Sequence, residues 1–297
     1  MVIEIDAIDT LFFRDGKPFS MQEETWADGM FPPNPTVIRG ALRSLWFSQN
    51  SKAFQSFKNS GSDPTDDLSI KGIALRRRVD SLIEDLLPAP RDMVVTDRDK
   101  NLAELLAIEK CPNTAASSLP LKSHFIYMGD KKVTSIESAF LDKDKFLLYL
   151  NAQGRYQLVN TEDLITSEPK VGIGRDNTSL TAEEGQLYRV DMKRLKNKMR
   201  TDVQTTMLVE FDNLDIPQSG FLKLGGEGKV VAYQKADPFL PDHQVDLTEN
   251  KCFKIVLLTP AIFENGWRAK WMDDPNTMEK RFNGLKIDLI AAAIGGK

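Results

Sequence analysis

Residues 203–211 read Val-Gln-Thr-Thr-Met-Leu-Val-Glu-Phe, and this stretch strongly indicates a β-strand. Its odd-numbered positions alternate with Gln204, Thr206 and Glu210, which is typical of a strand with one buried face. The C-terminal half of the chain is therefore expected to be organised around β-strands.

Further strand candidates lie on both sides of this stretch. They are residues 170–175, 187–192, 252–258 and 286–294, together with residues 2–7, residues 70–79 and an edge segment at 86–95 that contains two prolines. Residues 176–185 join the first two candidates and are too many for a tight hairpin turn. Strands around at least one helix in each half are the ingredients of a split β-α-β arrangement.

A helix is predicted over residues 35–49, because Asn34 is a good N-cap and Pro35 suits the first helical position. Arg39 and Arg43 lie together just beyond its apolar half. Two interpretations stay open for this pair, a solvated helix flank or two guanidinium groups that meet a phosphate backbone. The polar residues 50–69 are expected to form a loop or a poorly ordered insert.

Composition excludes several classes of protein. Hydrophobic residues make up 41% of the 297 residues, which excludes intrinsic disorder, and a net charge of −4 argues against binding nucleic acid by bulk charge. Two cysteines (Cys111 and Cys252) and two histidines (His124 and His243) make neither a disulfide framework nor a zinc site. Without a signal peptide or an apolar run of membrane-spanning length, the protein is expected to be soluble and cytoplasmic, with no membrane partner.

The most local chemical signal is the cluster Gly225-Gly226-Glu227-Gly228-Lys229. It is not a Walker A loop, because Val230 occupies the Ser/Thr position. Three glycines in four positions leave backbone N–H groups unobstructed, and Lys223 and Lys229 flank them, which suits a phosphodiester. A purely structural turn is an equally open interpretation.

A basic run is the second candidate site. Its five basic residues are Lys193, Arg194, Lys196, Lys198 and Arg200. The run is interpreted either as a solvated turn or as a patch that contacts phosphates. No Ser/His/Asp arrangement or carboxylate cluster is evident, and His243 has no partnered nucleophile. No catalytic residue, metal or cofactor is therefore expected.

Four groups of motifs occur in order between residues 12 and 229. They are Phe12-Phe13-Arg14-Asp15-Gly16-Lys17-Pro18-Phe19; Pro32-Pro33-Asn34-Pro35-Thr36 with Arg39-Gly40-Ala41-Leu42-Arg43; Val171-Gly172-Ile173 with Thr181-Ala182-Glu183-Glu184-Gly185; and Leu224-Gly225-Gly226-Glu227-Gly228-Lys229. As an ordered set they resemble the third subunit of the type III-B CRISPR effector (Cmr) complex, a member of the RAMP superfamily.

The resemblance implies an α+β fold with two ferredoxin-like (RRM-related) domains, whose antiparallel sheets carry helices on one face. We expect an N-terminal domain at residues 1–150 and a C-terminal domain at residues 151–297 that contains the glycine cluster. The resemblance also leads us to expect a final strand beyond residue 297, so the second domain is expected to be truncated or incomplete at its C-terminus.

The resemblance further implies a non-catalytic, RNA-binding structural subunit. It would hold the 5′ repeat-derived tag of the CRISPR RNA and dock the large Palm-domain subunit beside the backbone RAMP subunit. An alternative is a RAMP endoribonuclease that processes precursor CRISPR RNA, for which His124, His243 or a lysine would have to be the general base. A third alternative is a subunit that only bridges proteins.

The motif carries over Gly225, Gly226, Gly228 and Lys229 as the RNA-facing loop. Neighbouring basic residues are added as expected phosphate or base contacts, namely Arg14, Lys17, Arg39, Arg43, Arg175 and Lys223. Trp26 and Tyr188 are candidates for base stacking, although a core position is favoured for Tyr188. Residues 176–185 are a candidate projecting finger between tag and guide or between subunits.

Overall fold

A computed structural model describes most of the chain. The described residues are 1–14, 26–27, 29–96, 99–110, 124–127, 132–151, 154–175, 179, 181–197, 199–240, 252–264, 266–269, 281–282, 285–286 and 289–294. Lys17, Cys111, Lys198 and His243 lie outside them, as do most of residues 176–180 in the candidate finger. The predictions for those positions therefore stay predictions.

The fold is α+β with mostly antiparallel sheets, which confirms the predicted class. Its α-helices, within the described residues, are α1 (Pro35–Gln49), α2 (Ser51–Ser60) and α3 (Lys143–Leu150). The strands are β1 (Val2–Ala7), β2 (Trp26–Ala27), β3 (Ser69–Val79), β4 (Leu82–Pro88), β5 (Met93–Thr96), β6 (Asp99–Leu105), β7 (Ala107–Lys110), β8 (His124–Tyr127), β9 (Val133–Ser135), β10 (Ala139–Asp142), β11 (Tyr156–Gln157), β12 (Val159–Asn160), β13 (Ile165–Arg175), β14 (Ala182–Leu195), β15 (Val203–Asp212), β16 (Ser219–Lys223), β17 (Val230–Lys235), β18 (Arg281–Phe282) and β19 (Leu285–Lys286). The two ferredoxin-like domains stay a prediction.

Two compact units make up the chain, and each is built from two segments. One unit comprises residues 1–86 and 161–240, and the other comprises residues 87–160 and 241–297. This division differs from the contiguous domains expected at residues 1–150 and 151–297. The reason is strand pairing, since β15 from the second half of the chain pairs with both β1 and β3 from the first half.

Six strands of the first unit lie side by side in the order β4, β3, β15, β1, β17 and β16. The stretch at 203–211 is central among them, and its Met207 pairs with Ile5 of β1 and with Leu75 of β3. All three side chains are buried. The prediction of a strand here is confirmed, but both of its faces are covered, because Thr206 and Leu208 on the other face are buried as well.

Helix α1 runs over the residues that the sequence predicted and packs against β3 and β16. The helix buries Ile38, Ala41 and Leu42 on the side that faces these strands. Asn34 has extended backbone angles and Pro35 begins the helix, although the Asn34 side chain makes no capping hydrogen bond. The helix therefore begins where proline fixes the backbone rather than at a side-chain cap.

Three local predictions are wrong. Residues 51–60, expected in a loop, form α2, which ends at the left-handed Gly61 and packs its phenylalanines against Phe47 of α1. Residues 252–258, expected to be a buried strand, have no strand pairing, and Ile255 and Leu257 are exposed. Of the strand expected at 286–294, the described part keeps only the end of β19.

The second unit contains the sheet β11-β6-β5-β9 and helix α3. Tyr149 of α3 donates a 2.9 Å hydrogen bond to Asp92, and Lys254 contacts the same carboxylate at 2.6 Å. The Lys254 ammonium also lies 4.4 Å from the centroid of the Tyr149 ring. Lys254 thus fixes residues near 254 to this unit by an ion pair and a cation–π contact, without a strand.

Candidate nucleic-acid interface

The glycine cluster closes the hairpin of β16 and β17. Leu222 pairs with Val231 and Lys223 pairs with Val230, so residues 224–229 form the connection. The Leu224 N–H donates to the Lys229 carbonyl at 2.9 Å, and the Leu224 side chain is fully buried. The cluster is therefore a hairpin loop with a buried anchor, and its amides do not cap a helix as those of a P-loop do.

The loop packs closely on the chain at Phe12 and Phe13. The Gly226 N–H donates to the Phe12 carbonyl at 2.8 Å. A Cβ added at Gly225 would lie 2.5 Å from that carbonyl oxygen and 3.0 Å from the Phe13 ring, and Gly225 has a φ of +77°. Glycine is thus required at 225 both for its backbone conformation and for the close approach.

The outer part of the loop is open. Gly228 has a φ of +61°, and an added Cβ would meet nothing within 4 Å. Glu227 also adopts a left-handed conformation, with a φ of 59°, and is exposed. The loop thus offers unobstructed backbone beside one carboxylate that would repel a phosphate.

The two lysines that flank the loop differ in their surroundings. Lys223 is exposed at the end of β16. The Lys229 side chain is only 14% exposed, and its ammonium lies 2.5 Å from Oδ2 of Asp9. Lys223 is therefore available to a phosphate as the structure stands, whereas Lys229 is bound by a carboxylate of its own chain.

Asp9 begins a row of alternating charges. Its Oδ1 accepts a hydrogen bond from Nη2 of Arg194 at 3.1 Å, and the same guanidinium binds Glu168, which also accepts from Arg200 at 3.1 Å. The hydrogen bond from Lys229, with those from the Thr10 backbone and Arg194, holds the pKa of Asp9 far below its usual range. Asp9 is consequently ionised throughout the physiological pH range.

The basic run at 193–200 is largely paired, which favours the structural interpretation over a bare phosphate patch. Lys193 contacts Ser167 at 2.9 Å and Asp191 at 2.5 Å, and Arg194 binds Glu168. Both basic residues belong to β14, which ends at Leu195. Arg200 is exposed and pairs with Glu168. Phosphate contact by this run stays a prediction.

Arg39 and Arg43 hold the turn that follows α2. Arg39 donates to the carbonyls of Asp66 at 2.9 Å and of Leu68 at 3.3 Å. Arg43 donates to the Thr65 hydroxyl at 2.8 Å and forms an ion pair with Asp63. These internal contacts favour a structural role for the pair, and RNA contact by it stays a prediction.

The remaining candidates are described to different extents. Arg14 is exposed and forms an isolated antiparallel bridge with Gly29, two residues beyond the Phe12 that contacts the loop. Arg175 lies at the end of β13 opposite Ala182, and Trp26 of β2 pairs with Arg189 of β14. Arg14 thus lies two residues along the chain from Phe12, the point at which the glycine loop makes its backbone hydrogen bond. Stacking by Trp26 or Tyr188 stays a prediction.

Phe221 is a candidate that the sequence interpretation missed. Its side chain is 65% exposed on β16, two residues from Lys223 and opposite Ala232 of β17. Alternation was the available signal, because Leu222 and Leu224 point to the buried side and Phe221 must therefore point away from it. An exposed aromatic ring beside a lysine is a surface on which a base can stack.

Among the described residues, no group of three or more His, Cys, Asp or Glu side chains could hold a metal ion. His124 lies on β8 opposite Lys110.

No helix in the described part of the chain is both long and apolar enough to cross a membrane.

Comparison with known proteins identifies the family. The family model described as "CRISPR-associated protein (Cas_Cmr3)" matches residues 3–297. The chain belongs to this family. The match confirms the resemblance that the ordered motifs gave, and no curated protein matches the chain.

Three solved structures illustrate the similarity. One is a chain of a type III-B Cmr-beta complex bound to cognate target RNA and AMPPnP, with 17% identity and a TM-score of 0.45 over 83% of this chain and 64% of that chain. A second, from the complex bound to cognate target RNA, has 16% identity and a TM-score of 0.47 over 83% and 67%. A third, from the apo state, has 11% identity and a TM-score of 0.31 over 78% and 95%. The chain thus spans less than two thirds of the length of the first of these chains.

Proposed function

We propose that this chain is a non-catalytic, RNA-binding structural subunit of a type III-B CRISPR interference complex. It holds the 5′ repeat-derived tag of the CRISPR RNA and docks the large Palm-domain subunit beside the backbone RAMP subunit. Membership of the Cmr3 family supports a role in a Cmr complex. The surface of the β16–β17 hairpin supports contact with RNA.

The observation that carries the RNA role is the glycine loop itself. Its inner side is fixed by the Gly226–Phe12 hydrogen bond, while its outer side is open at Gly228. Single-stranded RNA in a fixed shape is held by backbone amides, cationic side chains and aromatic stacking. A rigid loop with open backbone suits this task because little conformational entropy is lost when RNA binds.

The same hairpin supplies the other two kinds of contact. Phe221 and Lys223 are two residues apart on one face of β16, so their side chains leave the strand about 7 Å apart. The aromatic ring offers a stacking surface, and the ammonium offers a charge for the phosphate backbone. Base stacking and phosphate contact need no general acid, general base or metal ligand, which is consistent with a binding role without catalysis.

Crosslinking of the reconstituted complex to its CRISPR RNA, followed by mass spectrometry of the linked peptides, tests the proposal. We expect crosslinks in the peptide that spans residues 219–230. If the assembled complex gives none there, the loop does not face RNA. Cleavage of a repeat RNA by the purified chain, abolished by His124→Ala, would contradict the non-catalytic role.

Substitution of Gly228 gives a sharper test with a matched control. Gly228→Asn adds a side chain to the outer face of the loop, and asparagine tolerates the left-handed conformation. Gly61, which ends α2, has a φ of +73° and equally open surroundings, so Gly61→Asn makes the same change away from the loop. We expect Gly228→Asn to weaken binding of tagged RNA by the complex and Gly61→Asn to leave it unchanged.

A further inference from the structure

Lys229 and Arg194 come from separate parts of the chain, and both bind the carboxylate of Asp9. Lys229 ends the glycine loop, and Arg194 lies near the end of β14. The Lys229 ammonium contacts Oδ2 of Asp9 at 2.5 Å, and the Arg194 guanidinium contacts Oδ1 at 3.1 Å. Each carboxylate oxygen therefore has its own cationic donor, and the Thr10 backbone N–H donates to the same side chain.

This set of donors matches a phosphodiester as well as it matches a carboxylate. Both anions present two oxygens that share one negative charge, and both are bound through charge-assisted hydrogen bonds from ammonium, guanidinium and backbone N–H groups. An anion that replaced Asp9 would thus find two cations and an amide already in position.

Exposure determines which group an incoming anion would displace. Asp9 is 52% exposed, whereas Lys229 and Arg194 are 14% and 17% exposed. The carboxylate therefore covers the two cations on the solvent side. Asp9 follows the end of β1 at Ala7 and precedes the pairing of Leu11 with Lys193, so it takes part in neither pairing.

We propose that Lys229 and Arg194 form a binding site for an RNA phosphate, which the chain's own Asp9 carboxylate occupies in the absence of RNA. The inference rests on the proposed RNA-binding function, since Lys229 closes the loop that is expected to face RNA. RNA has to displace Asp9 before it reaches these cations. Arg194 remains oriented after the exchange, because Glu168 binds it at 2.9 Å independently of Asp9.

Neutralising Asp9 tests this competition. In the reconstituted complex, Asp9→Asn is expected to tighten binding of 5′-tagged CRISPR RNA about two- to five-fold at low salt, because a surface ion pair no longer has to be broken. Glu84→Gln is the matched control, since it removes the same charge from an ion pair with Arg77 on β3. We expect this control to leave the affinity unchanged.

A second substitution assigns the gain to the proposed site. Lys229→Met in the Asp9→Asn background is expected to abolish the gain in affinity. In the otherwise native chain, Lys229→Met is expected to reduce the magnitude of the slope of log affinity against log salt concentration by about 0.7, the value for one phosphate contact on a single strand. This second measurement decides the question if circular dichroism shows that Asp9→Asn does not fold.

The outcomes separate this inference from the proposed function. If Gly228→Asn weakens RNA binding but folded Asp9→Asn binds no more tightly than the native chain, the phosphate site is wrong and the RNA-facing loop stands. If neither variant alters binding, both proposals fail. An unchanged salt slope with Lys229→Met also overturns the phosphate site.

Discussion

Arg78 of β3 donates hydrogen bonds to both carboxylate oxygens of Glu4 on β1, across the intervening strand β15. Thr206 of β15 donates to the same carboxylate at 2.6 Å, and Arg76 contacts it at 3.2 Å. Glu4 is only 5% exposed. Three adjacent strands are therefore held together by one buried, fully paired charge.

Replacement of Glu4 by glutamine should destabilise the first unit substantially. Removal of one partner of a buried ion pair leaves the other charge uncompensated, which costs about 3 kcal/mol or more of unfolding free energy. Urea denaturation of the variant beside the native chain measures this loss. Asp66→Asn is the control, since Asp66 is exposed and pairs with Arg39 at 3.4 Å, so the expected cost is below about 1 kcal/mol. Equal losses in the two variants would contradict the role assigned to Glu4.

The stability of the first unit should fall on acidification. Burial raises the pKa of Glu4, but the hydrogen bonds from Arg78 and Thr206 and the charge of Arg76 outweigh it, so the pKa lies below the ordinary value of 4.5. A carboxyl group with a lowered pKa in the folded state contributes stability above its unfolded pKa and loses it as the pH falls through the folded pKa. Unfolding free energies measured from about pH 6 down to about pH 3 should therefore decline, and Glu4→Gln should flatten the decline.

Asp6 gives an internal control of the opposite sign. Asp6 is exposed at the end of β1, but partial loss of water around its carboxylate and the neighbouring charge of Glu4 raise its pKa above the ordinary value of 3.8. Its ionised form therefore destabilises the folded state at neutral pH, and this cost disappears as the pH falls. Asp6→Asn should raise the unfolding free energy at pH 7, and a decrease would show that the carboxylate makes a favourable contact.

Gly225 should tolerate substitution far less than another exposed glycine. Gly225→Ala forces a side chain into a left-handed conformation and to within 2.5 Å of the Phe12 carbonyl, which is expected to cost about 1–3 kcal/mol. Gly40 lies in α1 with nothing within 4 Å of an added Cβ, so Gly40→Ala should stabilise the chain by about 0.5–1 kcal/mol. Thermal unfolding of the two variants under identical conditions compares these opposite signs.

The pattern of neighbouring residues was sufficient to predict two elements of secondary structure. Alternation predicted the strand at 203–211, and the Asn34-Pro35 pair predicted the start of α1. Serine and aspartate in residues 50–69 predict a loop, whereas Phe54 and Phe57 have a helical spacing and both pack against Phe47, Phe57 stacked and Phe54 tilted. The spacing of the phenylalanines is therefore a better indicator of secondary structure in this segment than its polar composition.

Pairing over long separations could not be predicted. The alternating pattern of β15 does not specify that β1 and β3 are its neighbours, and this pairing is what makes the units discontinuous. The candidate site shows the same limit. The glycine loop was evident from sequence, but the ionic partner of Lys229 is Asp9, which lies 220 positions away in the chain. Lys229, whose neighbours in the sequence suggest contact with RNA, is thus bound by a carboxylate from a distant part of the chain.

Phe221 should affect RNA binding without affecting stability. Because its side chain is 65% exposed, Phe221→Ala is expected to change the unfolding free energy by less than about 0.5 kcal/mol. Loss of base stacking is expected to cost about 1–3 kcal/mol of binding free energy, whereas Phe221→Tyr retains a stacking ring and should bind nearly as well as the native chain. Titration of tagged RNA into the reconstituted complex measures both effects.

Ile83 provides the matched control for Phe221. It is 58% exposed on β4, which the strand order separates from β16, so Ile83→Ala removes a comparably exposed apolar side chain far from the hairpin. Stacking predicts a loss of RNA affinity for Phe221→Ala alone. If the two alanine variants weaken binding equally, or if Phe221→Tyr is as weak as Phe221→Ala, then the ring does not stack on a base, and the contribution of the hairpin is limited to its amides and Lys223.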